Sequence, residues 1–378
     1  MTSRASRSTG ARSGRTALVV GGTGPTGPFV VNGLRERGFT TTILHTGRHE
    51  VPQIPDDVEH IHVSPHDGEA FAAAIEGREF DVTIAMYGRL RAIAETMIDR
   101  TGQFISIGGA PAYRGFMDPD QWSPPGLPLP TREDAPLADE RVDGKSYRVA
   151  RTEAIVFEHH SNATHYRYPL VYGPRQPAPR EWSIVRRVLA RRPHIVVADG
   201  GLTLLSYGYV ENLAHAVLLS IDHPAAAGQI FNAADDECMT IAQVIEIIAH
   251  ALDHRIEIVS MPFDIALPAR PLVQQNRPTH RVLDTSSLRA RLGYRDLVPP
   301  RIAIARTARW LAEHPPEPGG VEEMVLEDPF DYDAEDRLIG AWKSAVSALP
   351  SVEWRQTPGF GLTYSGPGAT RVRSDTRI

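Results

Sequence analysis

The stretch GGTGPTG, residues 21–27, directly follows the apolar run TALVV and directly precedes a helical pattern beginning at Pro28. No other feature of the chain constrains the fold as much. Gly21, Gly24 and Gly27 stand in the spacing G-x-x-G-x-x-G. In such a loop the first glycine permits the turn out of a strand. The second lets the backbone approach a bound group, and the third lets the following helix pack closely on the sheet. The helix N-terminus adds unpaired N–H groups and a positive dipole end. The context therefore predicts a phosphate cradle, lined also by Thr23, Pro25 and Thr26, in preference to a bare surface turn.

The rest of the first half alternates strand-like and helix-like runs. Strands are expected at Thr16–Val20, Thr40–Leu44, Glu59–Val63, Asp81–Met86, Gln103–Ile107 and Thr164–Tyr168. Helices are expected at Pro28–Arg37, around Phe71–Ile75, at Arg89–Arg100 and at Lys145–His159. This alternation implies a parallel sheet covered on both faces, an α/β fold. The stretch from Pro111 to Asp143 is rich in proline and reads as a long loop, of the kind that forms functional lids. Within it, Trp122 is suited either to capping a ligand or to anchoring the loop. The second half mixes helices (Trp182–Arg191, Val210–Ile221, Ile241–Leu252, Pro300–His314) with short strands (Ile195–Ala198, Ile230–Ala233, Ile256–Ser260).

Composition excludes several function classes. No apolar run reaches the roughly 18–20 residues that a membrane helix needs, so no membrane partner is expected. A formal net charge of −6 does not favour a nucleic-acid surface. Cys238 is the single cysteine, so no internal disulfide forms, and a cytoplasmic location is the simplest expectation. Cys238 also follows an acidic run, which argues against a nucleophilic thiol. The basic, polar leader 1–15 lacks the apolar centre of a secretory signal and is expected to be disordered. His60 and His62 lie on one face of the third strand with His66 beyond. No cysteine or carboxylate cluster completes a site, so a strand-end histidine group is expected and no metal. Asp331, Asp333 and Glu335, in the run EDPFDYDAED, read as a solvated acidic face.

Ribose recognition is the next discriminator. An acidic residue at the end of the second strand would accept hydrogen bonds from the ribose of NAD. The sequence offers His45, Thr46, Gly47 and Arg48 instead. Arg48, with His45, is suited to a 2′-phosphate, which favours NADP over NAD. Ser64 and Asp67, after the third strand, are the candidate neighbours of the adenine.

Several segments then converge: GGTGPTG, Tyr147-RVA-Arg151, RYPLVYGPRQ at 167–176, YVENLAHAV at 209–217 and GQIFNAAD at 228–235. Together they resemble the extended short-chain dehydrogenase/reductase superfamily, the NAD-dependent epimerase/dehydratase group, over roughly residues 16–314. The resemblance implies a Rossmann-type doubly wound parallel sheet with a smaller C-terminal α/β substrate-binding cap. The dinucleotide domain would span 16–168 with part of 205–235. The cap would occupy mainly 169–314, and 315–378 would form a C-terminal extension. It also implies that Tyr147 is the general acid/base. Arg151 stands where the family has a lysine that holds the nicotinamide ribose. The family's serine position falls on Gly108 or Gly109, with Ser106 nearby and Tyr113 as a substitute hydroxyl. Tyr87, Gly88, Tyr147, Arg151 and Pro169 complete the cofactor-binding candidates.

The arginine that grips phosphate in sugar-nucleotide members is replaced near Leu205, which argues for a small non-nucleotide substrate. Arg180, Arg186, Arg187, Arg270 and Arg281 are the cations available from elsewhere. The implied activity is hydride transfer on a carbonyl or alcohol compound, in a homodimer built through helices of the first domain. Because of the exchanged lysine and missing serine, an alternative stays open. The chain would then bind the cofactor without net redox turnover, either as a redox-sensing or scaffold protein or as an elimination or cyclisation enzyme.

Overall fold

The computed structural model describes residues 14–86, 88–358 and Pro367. The central element is a seven-stranded parallel sheet. Its strands are β1 (Arg15–Val20), β2 (Phe39–His45), β3 (Glu59–His62), β4 (Phe80–Ala85), β5 (Thr101–Gly109), β6 (Thr164–Tyr168) and, after the short strands β7 (Leu170–Tyr172), β8 (His194–Ala198), β9 (Leu204–Leu205) and β10 (Tyr207–Tyr209), β11 (Gln229–Asn232). The spatial order is β11-β6-β5-β4-β1-β2-β3. Chain progression reverses direction between β1 and β4, and ligands of open α/β sheets bind at such a switch point. GGTGPTG leaves the sheet there, as the sequence predicts.

The two faces are filled by alternate residues of the same strands. Ala17 and Val19 pack with Val30, Val31 and Leu34 of α1 (Gly27–Glu36) and with Leu213 and Val217 from downstream. Leu18 and Val20 pack on the other face with Phe71 of α2 (Gly68–Ala74), Ile93 of α3 (Leu90–Thr96) and Val156 of α4 (Gly144–His159). Each such side chain contributes roughly 1.5–3 kcal/mol on burial, so a sheet covered on both faces carries most of the core energy. An unpaired polar residue on either face would be costly, so β1 reads as an apolar run, whereas the buried polar residues of β6 are hydrogen-bonded.

Downstream lie α5 (Trp182–Leu189), α6 (Val210–Leu219), β12 (Met239–Thr240), α7 (Ile241–Ala251), β13 (Glu257–Met261), α8 (Arg270–Val273), α9 (Ser286–Leu292), α10 (Pro300–Glu313) and α11 (Val321–Met324). Of these, α6 returns to the sheet and packs on α1: a Cβ at Gly33 would lie 2.3 Å from Leu218 Cδ1. The remaining strands pair two by two, β7 with β10, β8 with β13 and β9 with β12. Among the described residues no helix is long and apolar enough to cross a membrane.

One compact unit runs to Tyr332, and a second begins at Asp333. The extension expected from 315 is therefore in part body. The run EDPFDYDAED is also not uniformly solvated. Asp328 is buried, with Arg187 Nη1 donating to its Oδ2 at 2.7 Å, and Phe330 lies under Arg186 at 4.1 Å. The sequence shows the charges of this run but not the buried arginine that neutralises one of them. The last helix, α12, runs over Tyr332–Ser347. Most of the glycine-rich C-terminal stretch and the leader to Ser13 lie outside the described residues.

Gly27 is the tightest point of the frame, since a Cβ there would meet Gly22 O at 2.0 Å. The obstacle is backbone and cannot rotate away. Gly27→Ala is expected to destabilise the protein by about 1–3 kcal/mol, the usual cost of overpacking. A lowered thermal midpoint in calorimetry checks this, and an unchanged midpoint contradicts it.

Candidate functional site

The cradle is built as its glycines suggest, with distinct roles for each. Gly21 has φ +91°, which only glycine adopts freely, and its N–H donates to Leu44 O at 2.9 Å. Gly27 is fixed by contact with Gly22. Gly24 is different, because it has no positive φ and a Cβ there would meet only Gly21 O, at 3.6 Å. Nothing in the protein's own packing requires a glycine at 24, so the missing side chain serves whatever approaches the loop from outside. Thr23 and Thr26 are buried beside it, and Pro25 is partly exposed. The N–H groups that open α1 face this loop without a side-chain cap from Thr26.

At the ends of the neighbouring strands the candidates separate. Arg48 is exposed on the loop after β2. His45, expected to assist it, is buried. Its Nε2 lies 3.2 Å from His60 Nδ1 and 3.6 Å from Glu50 Oε1. That ring is committed to a side-chain cluster and is withdrawn as a phosphate contact. Burial holds its pKa below the usual histidine value, despite the Glu50 carboxylate. Glu50 also approaches His60 and His62, so a carboxylate does join the histidines, contrary to the expectation of none. The sequence hid it in a loop ten residues before His60.

Asp67 caps α2, its Oδ1 accepting from Ala70 N–H at 3.1 Å. Ser64 Oγ lies 3.4 Å from the His66 amide. Gly88 has φ +102° and no room for a Cβ beside Pro65, so the turn itself requires it. Tyr87 lies outside the described residues. Pro169 joins β6 to β7 and is partly exposed.

Tyr147 and Arg151 sit one helical turn apart on α4, the tyrosine partly buried and the arginine exposed. The opposite stripe of α4 (Ser146, Ala150, Glu153, Val156) is buried. Glu153 receives Arg167 Nε at 3.0 Å and Nη2 at 2.7 Å, which pins α4 to β6. Burial works to raise the Glu153 pKa, but contacts with His165 and Arg167 hold it below its ordinary value.

Ser106 and Tyr113 do not reach a substrate site. Ser106 is fully buried with its Oγ 2.7 Å from His165 Nδ1. Tyr113 is buried under the Arg167 guanidinium and donates to Asn232 Oδ1 at 2.7 Å. Burial pushes its pKa up to about 12, so it stays a neutral phenol. Both are structural hydroxyls, which corrects the expectation drawn from their position. Of the two glycines aligned with the expected serine, Gly108 faces the imidazole: a Cβ there would lie 2.5 Å from His165 Nε2.

Trp122 anchors the proline-rich loop, its Nε1 donating to Arg114 O at 2.9 Å. Cys238 is no nucleophile, with its pKa pushed up to about 11; burial raises it, where the sequence suggested the adjacent acids.

Of the candidate cations, Arg186 pairs with Glu323 and Arg187 with Asp328, and Arg270 is exposed. Arg180 and Arg281 are different, since burial lowers the pKa of both, to about 10 for Arg281. The buried Arg281 Nε has no hydrogen-bond partner. Beside them is Glu181, which pattern reading missed. It lies at the N-terminal end of α5, is buried, and burial pushes its pKa up to about 7.

Residues 144–234 match the family model described as NAD dependent epimerase/dehydratase family. The match is confined to that segment, which covers α4, β6 and the elements through β11. An uncharacterized protein, y4nL, of Sinorhizobium fredii is 32% identical over 102 residues, covering 27% of this chain and 28% of that protein. The chloroplast stem-loop binding protein of 41 kDa b of Arabidopsis thaliana is 25% identical over 247 residues, 61% of each chain. The matches thus span less than two thirds of the length of these relatives.

Among solved structures, UDP-glucose 4-epimerase of Thermotoga maritima superposes with a TM-score of 0.64 at 18% identity, over 79% of this chain and 99% of that one. The dTDP-glucose 4,6-dehydratase of Bacillus anthracis, in complex with NAD, gives 0.62 at 14%, over 80% and 97%. The enzyme WbmG of Bordetella bronchiseptica, in complex with NAD, gives 0.62 at 16%, over 80% and 96%. These likenesses show the shared fold.

Glu181 gives a pH signature. Its pKa is about 7 in the folded protein, against an ordinary value of 4.5. A raised folded value means that its contribution is fully present below the unfolded pKa and is lost as pH rises through about 7. Glu181→Gln is therefore expected to melt above wild type at pH 8, with the gap closing toward pH 4.5. A gap that does not vary with pH contradicts this.

Proposed function

We propose that the chain is an NADP(H)-dependent oxidoreductase or epimerase-like enzyme acting on a small non-nucleotide carbonyl or alcohol compound. The observation that carries the reading is the loop at the switch point. Gly21 and Gly27 are required by the backbone, whereas Gly24 leaves open space beside the N-terminus of α1. These residues fit a dinucleotide pyrophosphate. Gly21, Thr23, Gly24, Pro25, Thr26 and Gly27 would hold it, with Arg48 at the ribose end. The absence of a carboxylate on residues 45–48 and the exposure of Arg48 favour the 2′-phosphorylated form.

A bound nicotinamide supplies hydride exchange. Tyr147 holds the transferable proton on its hydroxyl and delivers it to, or removes it from, the substrate oxygen. Arg151, one turn along α4, places a cation on the same stripe of the helix to position the nicotinamide ribose. In the cap, Arg180 and Arg281 are cations that no carboxylate neutralises by an ion pair among the described residues, and they suit a substrate bearing an anionic or carbonyl group.

Tyr147→Phe tests the chemistry. Loss of the hydroxyl is expected to lower turnover, followed by nicotinamide absorbance, about 100-fold or more while leaving cofactor affinity intact. Full turnover in the variant removes Tyr147 as acid/base. Product formation by wild type with no net change in nicotinamide absorbance moves the reading to elimination or cyclisation, the alternative suggested by the missing serine and by Arg151 in place of a lysine.

A further inference from the structure

We propose that His45, Glu50, His60 and His62 form a binding site for one divalent transition-metal ion of the zinc class, at the C-terminal ends of β2 and β3. The site is separate from Tyr147 and does not depend on the redox reading.

The geometry is the argument. One ligand atom from each of the four residues lies within 4.8 Å of all the others. His45 Nε2 is 3.2 Å from His60 Nδ1. Glu50 Oε1 is 3.6 Å from His45 Nε2 and 3.0 Å from His62 Nε2, and Oε2 is 3.2 Å from His60 Nδ1. Zinc–nitrogen and zinc–oxygen bonds of about 2.0–2.2 Å in a tetrahedron place neighbouring donors roughly 3.3–3.5 Å apart. The protein already holds its donors near that spacing.

The ring arrangement also favours a shared ion. The imidazoles of 45, 60 and 62 stand edge to face, at interplanar angles of 74°, 86° and 84°. They converge through their nitrogens and do not stack. Neutral imidazole carries one N–H, so the 3.2 Å contact between Nε2 of His45 and Nδ1 of His60 holds at most one hydrogen bond. A metal satisfies both lone pairs together with the carboxylate.

The fold explains how the cluster forms. In the parallel pairing of β2 with β3, His45 is the register partner of His62 and Ile43 that of His60. Glu50 enters from the loop after β2, so an ion would clasp two strand ends and their connection. His45 is buried and acts as the rigid anchor, whereas His62 and Glu50 are half-exposed and give the ion a path from solvent. Ligation through His45 Nε2 puts its proton on Nδ1 and displaces the Gly47 amide, now 3.4 Å away. That contact is at the long limit of a hydrogen bond, so little is lost. Imidazole nitrogen with a single carboxylate suits zinc, cobalt, nickel or copper and is a poor cage for calcium or magnesium.

The test uses the full chain after removal of metal by chelator. Cobalt(II) titration should give visible absorption bands of the intensity of a four- or five-coordinate ion, saturating at one equivalent and bleached by zinc. Calorimetry with zinc should give a dissociation constant on the order of a micromolar or tighter. The double variant H60Q/H62Q should weaken binding at least about 100-fold, since even outer-shell changes cost 10–100-fold. Glu50→Gln, on an exposed loop, should weaken it measurably even if the double variant fails to fold. Metal-free melting curves that match wild type show that the variants fold. No saturable binding, or binding that Glu50→Gln and the double variant leave unchanged, overturns the site.

Discussion

The buried ion pair between Arg167 and Glu153 holds the functional half of the molecule together. Both side chains are almost wholly inaccessible, at 2% and 3% exposure. Removing two charges from water costs several kcal/mol per ion, and only complete hydrogen bonding offsets that. Arg167 achieves it by donating to both Glu153 oxygens and to Glu133 O, with the Tyr113 ring against its face. The pair therefore joins β6, α4 and the proline-rich loop at one point. Tyr113 carries the connection to Asn232 at the end of β11, and Asn232 in turn donates from its side-chain amide to Thr131 O and from its backbone N–H to Glu133 Oε1. α4 carries Tyr147 and Arg151 on one stripe and Glu153 on the other. Any side chain on α4 is only as well placed as the helix, and this pair helps set the helix.

The same network reaches His165, whose Nε2 lies 3.6 Å from Glu153 Oε1. His165 occupies the volume beside Gly108, and Ser106 is turned inward to meet it. The contact keeps the sheet end filled and hydrogen-bonded.

Much of the fold was legible because its determinants are local. β6 runs over Thr164–Tyr168 as the pattern indicates, and α4 and α7 fall within a residue of their expected spans. The glycine loop was legible because backbone conformation and close approach both leave a sequence trace. What was not legible is long-range pairing. Ser106 meets His165 across 59 residues and Tyr113 meets Asn232 across 119, and no spacing rule reports such contacts. Glu50 escaped notice because loop residues carry no periodicity to aim them. Glu181 escaped because a carboxylate beside an arginine reads as a surface pair, and only burial shows that its charge is unfavourable. The small strand pairs β9 with β12 and β7 with β10 were missed because two or three residues are too few for any pattern to register.

The central claim is that GGTGPTG holds a dinucleotide and that the end of β2 selects its phosphorylated form. Equilibrium binding of NADPH and NADH to protein freed of copurified nucleotide, compared by calorimetry at one salt concentration, tests it most directly. The account predicts stoichiometric binding with NADPH clearly the tighter. Tighter NADH would overturn the role given to Arg48, and binding of neither would reduce the loop to a turn and remove the basis of the proposed activity.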